Sequence, residues 1–200
     1  MRGNLPFPRA PSAPGARARL RSSMSAQPAG ESTSLRARVS LSDNGRANVA
    51  TGLPVLDRLL ELLARYASFD LSLEVAPGAP EAELAAAGRA FGEALWNLLR
   101  AEGVRSHGSA TIPADEALAH VALEASGRRR VVSNADLSAE HIGGLRTDVV
   151  SGFLNEFAAG AGLTLHVRLI HGDDPQHVLE TIFKSLGAAL AQACRSTRKE

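Results

Sequence analysis

Phe69-Asp-Leu-Ser-Leu-Glu-Val75 recurs about 95 positions later as Leu163-Thr-Leu-His-Val-Arg-Leu169. Each copy alternates apolar and polar residues as a strand does, and each leads through a polar loop into a helix-period segment. The second of these helices begins with His177 and Glu180, which lie one turn apart on one face. The matching positions in the first copy are both alanine. The pattern predicts a duplicated scaffold with metal-binding side chains in only one copy.

Apolar periodicity and turn residues divide the chain into strands and helices. Strands are expected at 36–42, 46–50, 69–75, 108–113, 117–124, 128–133 and 163–170, and helices at 53–67, 81–99, 148–159 and 175–194. Asp43-Asn-Gly45 is typical of a hairpin turn, so the first two strands are expected to pair. Residues 134–145 read as loop. Each helix has one apolar stripe, which predicts helices on one face of a mixed sheet and halves, or subunits, packed helix layer to helix layer.

The chain is expected to have four segments. Residues 1–33 form an N-terminal extension that is rich in Pro, Arg and Ser, lacks apolar periodicity and is predicted to be disordered. The first repeat half covers 34–103, the second covers 104–194, and 195–200 is a short tail. The natural protein is expected either to start at Met24 or to carry these residues as a functionless tail. The alternative is that residues 1–23 target the protein to an organelle.

Composition narrows the class of protein. The first 23 residues contain five arginines and no acid, and the remaining 17 basic and 21 acidic residues give the body a net charge of −4. A mildly acidic body argues against nucleic-acid binding, which needs a basic face. No apolar run approaches the roughly 20 residues of a membrane helix. The single cysteine, Cys194, is consistent with a reducing compartment, and we expect the protein to be cytoplasmic.

Several short motifs, in order on the duplicated scaffold, resemble the imidazoleglycerol-phosphate dehydratase family from about Leu35 to Ala193. They are Thr51-Gly-Leu-Pro-Val-Leu-Asp-Arg-Leu-Leu60, Pro113-Ala-Asp-Glu-Ala-Leu118, Ser126-Gly-Arg128, Thr164-Leu-His-Val167 and His177-Val-Leu-Glu-Thr-Ile-Phe-Lys184. The resemblance implies an α/β tandem repeat of two half-domains, each a roughly four-stranded mixed sheet flanked by helices. It also implies a histidine-biosynthesis lyase that assembles as trimers into a 24-mer and holds two manganese ions between subunits.

The resemblance also implies where the metal ligands should stand, and most of those positions are occupied by other residue types. The family's Asp-His pair reads Asp57-Arg58, and its first His-His-x-x-Glu run aligns with Glu81 to Ala85. The residue before the Phe pair is Gly152, and the second His-His-x-x-Glu run keeps only His177 and Glu180. Two ligands cannot satisfy manganese. Arg58 brings a permanent cation that is expected to pair with Glu180 or Glu81, filling the metal position with a salt bridge.

Substrate contacts implied by the resemblance are reduced as well. The family's Arg-Phe-Gly reads Ser106-His107-Gly108, with Arg105 adjacent, and Arg128 is retained as a phosphate-binding candidate. Asp115, Glu116 and Lys184 match family positions near the catalytic site. The alternative without a function is that Asp115 and Glu116 are ordinary acids of a turn and that Lys184 is an ordinary exposed lysine of a helix. A separate metal site at His171, Asp174 and His177 is a minor alternative.

The sequence therefore favours a non-catalytic member of the family, a scaffold or binding protein without a cofactor. Its expected partners are copies of itself, as a trimer-based assembly or 24-mer, or an intact paralogue. The first alternative is a divergent manganese-dependent hydro-lyase rebuilt around Glu81, Glu83, His177 and Glu180, or a different lyase on this fold. The second alternative is a binder of small phosphorylated ligands through Arg128 and Arg105.

Overall fold

A computed structural model of the chain describes residues 36–42, 44–75, 81–136, 141–142 and 145–197. All of them belong to one unit of the chain. The expected disorder and targeting role of the N-terminal segment lie outside the described residues. None of the helices in the described part is long and apolar enough to cross a membrane.

The first half contains a mixed sheet and two helices. Its elements are β1 (Arg36–Leu41), β2 (Ala47–Ala50), α1 (Pro54–Ala67), β3 (Phe69–Glu74) and α2 (Glu81–Leu99). The strand order is β1-β3-β2, with β3 antiparallel to β1 and parallel to β2. The predicted pairing of the first two strands is therefore wrong. The most buried strand of this sheet, β3, lies between them and pairs with both.

The second half repeats this plan with more strands. Its elements are β4 (His107–Ala114), β5 (Ala117–Glu124), β6 (Arg130–Ser133), β7 (His141–Ile142), β8 (Leu145–Arg146), α3 (Thr147–Ala161), β9 (Thr164–His171) and α4 (Pro175–Ala193). The larger sheet has the order β4-β5-β9-β6. Strand β7 pairs with β8, so the loop expected at 134–145 is wrong at residues 141, 142 and 145. Again the repeated strand, β9, is central, antiparallel to β5 and parallel to β6.

The two halves meet through their helices. Helices α1 and α2 cover the first sheet, α3 and α4 cover the second, α2 packs on α3, and α1 packs on α4. Helices α2 and α3 approach each other closely at two glycines. A Cβ atom on Gly92 or Gly160 would lie closer than 3.0 Å to backbone atoms of the facing helix. The rings of Phe91 and Phe157 fill the space beside these glycines, with centroids 4.9 Å apart. The expected packing of helix layer on helix layer is confirmed within one chain.

The repeat extends to the ends of the helices. Helix α1 is followed by Ser68 (φ 54°) and α3 by Gly162 (φ 61°), both in the left-handed conformation and both within two residues of the start of the central strand. The fold class inferred from the sequence is confirmed, and the described part of the first sheet has three strands where the second has four.

Candidate functional site

The N-terminus of α4 places His177 against the β4–β5 hairpin. Asp174 caps the helix by accepting hydrogen bonds from the backbone N–H groups of Gln176 (2.7 Å) and His177 (3.3 Å), and Pro175 occupies the first turn. This cap fixes the direction in which the helix begins. The His177 ring consequently faces the hairpin turn, one helical turn before Glu180.

The hairpin turn supplies two carboxylates to His177. Glu116 Oε2 lies 2.6 Å from His177 Nδ1, and Asp115 Oδ2 lies 3.4 Å from Nε2. The other Glu116 oxygen accepts hydrogen bonds from the backbone N–H groups of Asp174 (3.0 Å) and Asp173 (3.4 Å). Asp115 adopts the left-handed conformation (φ 48°) that this two-residue turn requires. The expected acid pair is thus both a turn and a partner of His177.

These contacts shift the ionisation of both partners. The backbone N–H of Asp174, followed by the His177 hydrogen bond, lowers the pKa of Glu116 to about 2. The hydrogen bond to Glu116 is the largest effect on His177 and raises its pKa above the ordinary value. An imidazolium paired with a carboxylate is therefore the favoured state at mildly acidic pH. The pair can hold a proton between α4 and the hairpin.

The His177–Glu116 pair predicts a pH-dependent contribution to stability. The pKa of His177 is raised from 6.5, so its contribution is complete below pH 6.5 and is lost as the pH rises through the raised pKa. The pKa of Glu116 is lowered from 4.5, so its contribution is present above pH 4.5 and is lost as the pH falls toward 2. A titration by NMR should place the His177 midpoint above 6.5.

A matched variant tests whether Glu116 is the cause of the raised pKa of His177. Glu116→Gln removes the negative charge and should return the His177 midpoint toward 6.5. A His177 midpoint that is unchanged by Glu116→Gln would contradict the assigned contact.

Glu180 is held by cations and an amide. Its Oε1 lies 3.3 Å from Arg58 Nε and 3.2 Å from Gln176 Nε2, and its Oε2 lies 3.6 Å from Lys184 Nζ. The Glu180 side chain is only 10% exposed, whereas that of Arg58 is 64% exposed. Burial raises the pKa of Glu180, but the hydrogen bonds from Gln176 and Arg58 and the nearby positive charges outweigh it, so the pKa is below its ordinary value. Glu180 is therefore a buried anion with its charge already balanced.

The expected Arg58 salt bridge forms with Glu180 and not with Glu81. Glu81 stands at the start of α2, and its Oε1 lies 3.0 Å from Arg146 Nη1. Asp57, the retained acid of the Asp-His position, accepts hydrogen bonds from the backbone N–H (2.9 Å) and hydroxyl (2.6 Å) of Thr51. Asp57 thus fixes the turn before α1.

An apolar cleft lies beside the Arg58–Glu180 pair. It has a volume of about 240 Å³ between the first turns of α1 and α4. Its walls are Pro54, Val55, Arg58, Leu59, Gln176, Leu179 and Glu180. Two of the positions matched to family ligands, Arg58 and Glu180, are therefore joined by a salt bridge at the border of a small apolar cleft.

The residues of this site do not fit a manganese ion. Manganese requires about six oxygen and nitrogen donors. Glu180 is paired with two cations, and both ring nitrogens of His177 contact carboxylates. Across the described ranges, no group of three His, Cys, Asp or Glu side chains is placed to hold a metal. The minor alternative of a site at His171, Asp174 and His177 is therefore not formed.

The two arginines proposed for phosphate lie at the other end of the second sheet. Arg105 precedes β4, with its Nη2 3.5 Å from His107 Nε2, and Arg128 follows β5 in an exposed turn. The eight residues of β4 separate this end from the hairpin turn, and the two ends of the strand lie about 23 Å apart. Within the described part of the chain, neither guanidinium pairs with an acid. A single chain therefore does not bring these arginines to His177.

Two hydroxyl groups of α4 position the hairpin. The Thr181 hydroxyl accepts from Ala119 N–H (3.0 Å) and donates to the Ile112 carbonyl, and the Ser185 hydroxyl accepts from Ile112 N–H (3.0 Å) and donates to the Ala119 carbonyl (3.0 Å). Both side chains are fully buried. Each hydroxyl thus bridges β4 and β5 and ties the hairpin to the helix that carries His177. Sequence reasoning missed them, although polar residues four apart on an apolar helix face are a readable signal.

The chain matches a family model and named relatives over most of its length. The model for imidazoleglycerol-phosphate dehydratase matches residues 51–190. An imidazoleglycerol-phosphate dehydratase of Acetivibrio thermocellus is 34% identical over 168 residues, which are 82% of this chain and 86% of the relative. One from Methylobacterium radiotolerans is 37% identical over 169 residues, covering 80% of this chain and 85% of the relative.

The fold is also similar to a solved structure of that enzyme. The crystal structure of imidazoleglycerol-phosphate dehydratase from Staphylococcus aureus superposes with a TM-score of 0.72 at 31% identity, covering 80% of this chain and 94% of that chain. The resemblance drawn from the sequence motifs is thereby confirmed. The duplicated scaffold described above belongs to the imidazoleglycerol-phosphate dehydratase family.

Proposed function

We propose that this chain is a member of the family that has lost dehydratase activity and serves as a scaffold or binding homologue. The contact of Glu180 with Arg58, which stands at a position matched to a family metal ligand, carries the proposal. A divalent metal at Glu180 would have to displace two positive side chains from a partly buried carboxylate. Like-charge repulsion at a distance of a few ångströms in a poorly solvated site opposes this strongly.

Assembly with further copies would not restore the donors. A second copy can contribute only side chains that this chain encodes. Among the positions matched to family ligands, Arg58, Ala82, Ala85 and Gly152 have no side chain that donates an electron pair to manganese at neutral pH, whereas Asp57, Glu81, Gln176, His177 and Glu180 do. A homo-oligomeric site would therefore lack the same four ligand side chains in every copy.

We infer that the protein associates with itself, as trimers or as a 24-mer, or with an intact paralogue in the cytoplasm. Family membership supports self-association. The chain keeps the fold of the family, while several positions matched to metal ligands hold other residue types. This combination supports a role in assembly and not in catalysis. An intact paralogue could contribute its own metal ligands to a shared interface.

One observation favours an active enzyme as the second candidate. His177 and Glu116 form a tightly hydrogen-bonded pair that can hold a proton at His177 Nδ1, and Asp115 lies at the other ring nitrogen. Such a pair is suited to general acid–base catalysis. The phosphate-binder alternative is favoured by the exposed guanidinium groups of Arg105 and Arg128.

A dehydratase assay with saturating manganese separates the first two candidates. We expect no turnover of imidazoleglycerol phosphate above the uncatalysed background, and no rescue of a histidine auxotroph that lacks the enzyme. An intact dehydratase from a relative, assayed in parallel, shows that substrate and metal are competent. Turnover that is abolished by His177→Ala would instead establish the active-enzyme candidate.

A further inference from the structure

The Asn44-Gly45 sequence, which predicted a hairpin, connects two strands that do not pair with each other. Strands β1 and β2 flank β3, so the connection crosses the end at which β3 begins. Both sides of the connection are anchored there. The N–H of Ser42 donates to the carbonyl of Ser68 (2.9 Å), and the N–H of Arg46 donates to Asp70 Oδ1 (3.2 Å). Asn44-Gly45 therefore lies between two fixed points and outside the sheet.

The packing of this connection requires a glycine at position 45. Gly45 has a φ of 57°, in the left-handed region that favours glycine. A Cβ atom there would lie 2.9 Å from the Cα atom and 3.2 Å from the carbonyl oxygen of Arg65, at the end of α1. The residue after Asn44 therefore has no side chain that shields its backbone nitrogen. The side-chain amide carbon of Asn44 can approach that nitrogen without a steric obstacle.

The reacting groups of this dipeptide are not held by hydrogen bonds. Asn44 is exposed, and in the described ranges its side-chain amide has no hydrogen-bond partner, while its backbone N–H donates to Ser42 Oγ (3.0 Å). The N–H of Gly45 likewise has no acceptor among the described residues. Asn134 is held differently, because its amide donates to the carbonyl of Leu169 (3.0 Å) and accepts from the N–H of the same residue (2.7 Å). The Asn44 amide is therefore free to turn toward the main chain.

We propose that Asn44 is a modification site, at which the side-chain amide is lost through a cyclic imide. The backbone nitrogen of Gly45 attacks Asn44 Cγ, and a bond forms between them. The bond from Cγ to Nδ2 breaks, and Nδ2 leaves as ammonia with the proton that Gly45 gives up. Water then opens the ring. Attack of water at Cγ gives aspartate, and attack at the main-chain carbonyl carbon of Asn44 gives isoaspartate.

Both products change the connection that crosses β3. Each replaces a neutral amide by a carboxylate. The isoaspartate product also adds a methylene group to the main chain between Ser42 and Arg46, the two residues anchored at the start of β3. We expect the N–H of Arg46, which bonds to Asp70 in the unmodified protein, to exchange hydrogen faster in that product. The reaction needs only water as a co-reactant, so it is independent of the function proposed above.

Peptide mapping of the full chain after incubation at mildly alkaline pH tests this assignment. Trypsin releases residues 39–46, whose only asparagine is Asn44, and residues 47–58, whose only asparagine is Asn48. Asn48 is the internal control, because it is exposed in β2 but is followed by the branched side chain of Val49. We expect the 39–46 peptide to exchange its amide for a carboxyl group at least about tenfold faster than the 47–58 peptide. Labelling by an isoaspartate methyltransferase identifies the isoaspartate product.

A synthetic peptide of residues 39–46 measures the same reaction without the fold. Because Asn44 is exposed in a connection outside the sheet, the folded chain should react within about tenfold of the rate of this peptide. Asn44→Gln should abolish the mass change, because glutamine must close a larger ring. A rate equal to that of Asn48, or a rate far below that of the synthetic peptide, would overturn the assignment. A mass change that persists in the Asn44→Gln variant would overturn it as well.

Discussion

Replacing Gly92 by alanine is expected to lower the free energy of unfolding by about 2–3 kcal/mol, because the added methyl group overpacks the contact between α2 and α3. A Cβ atom at this position would lie closer than 3.0 Å to the carbonyl oxygen of Phe157 and to the backbone nitrogen of Ala161. Backbone atoms cannot move aside as a flexible side chain does. The two helices must therefore separate, and the packing of Phe91 on Phe157 loosens with them.

Gly152→Ala is the matched control, because it makes the same substitution in a helix of the same layer. Nothing lies within 4 Å of a Cβ atom on Gly152. The substitution should therefore raise stability by about 0.5–1 kcal/mol through the better helix propensity of alanine. Urea denaturation of both variants measures the difference. A Gly92→Ala protein as stable as Gly152→Ala would contradict the close approach of the two helices.

Thr181→Val should destabilise the protein by about 2–4 kcal/mol although it preserves the shape of the side chain. The substitution removes the hydroxyl that bridges Ala119 N–H and the Ile112 carbonyl, and leaves both backbone groups without that partner. Each buried group left unsatisfied costs about 1–3 kcal/mol. Because β4 and β5 carry the turn that binds His177, the His177 midpoint in an NMR titration should fall as well.

Thr181→Ser keeps the hydroxyl and removes one methyl group, so its cost should be about 1 kcal/mol. The difference between the valine and serine variants isolates the bridging hydrogen bonds from the loss of packing. If the two variants were equally stable, or if valine were the more stable of the two, the hydroxyl would not bridge the strands.

The repeated strands could be identified from the sequence because each alternates strongly between buried and exposed positions. Phe69, Leu71 and Leu73 are all buried in β3, as their spacing predicts. Pairing was harder to predict. The hairpin signal at Asp43-Asn-Gly45 is local, whereas the position of β3 between the first two strands depends on burial across the whole sheet.

The site was predicted in part. The Arg58–Glu180 pair could be inferred because a cation and an anion occupy positions that both belong to one family site. The contact between His177 and Glu116 joins residues 61 positions apart and depends on where the hairpin lies over α4, which no local pattern encodes. The spacing of Thr181 and Ser185 on an apolar helix face was a readable local signal for two buried hydroxyls, but their backbone partners on β4 and β5 depend on the same packing of the hairpin on α4.

Metal content measured on the full-length protein tests the central claim most directly. The protein is purified with manganese in every buffer and then separated from free metal. Its bound manganese is measured by inductively coupled plasma mass spectrometry, in parallel with that of an intact dehydratase from a relative. The pairing of Glu180 with Arg58 and Lys184 predicts that the relative retains stoichiometric manganese and this protein does not. Stoichiometric manganese on this protein that is lost in a His177→Ala variant would contradict the proposal that the site has lost its metal.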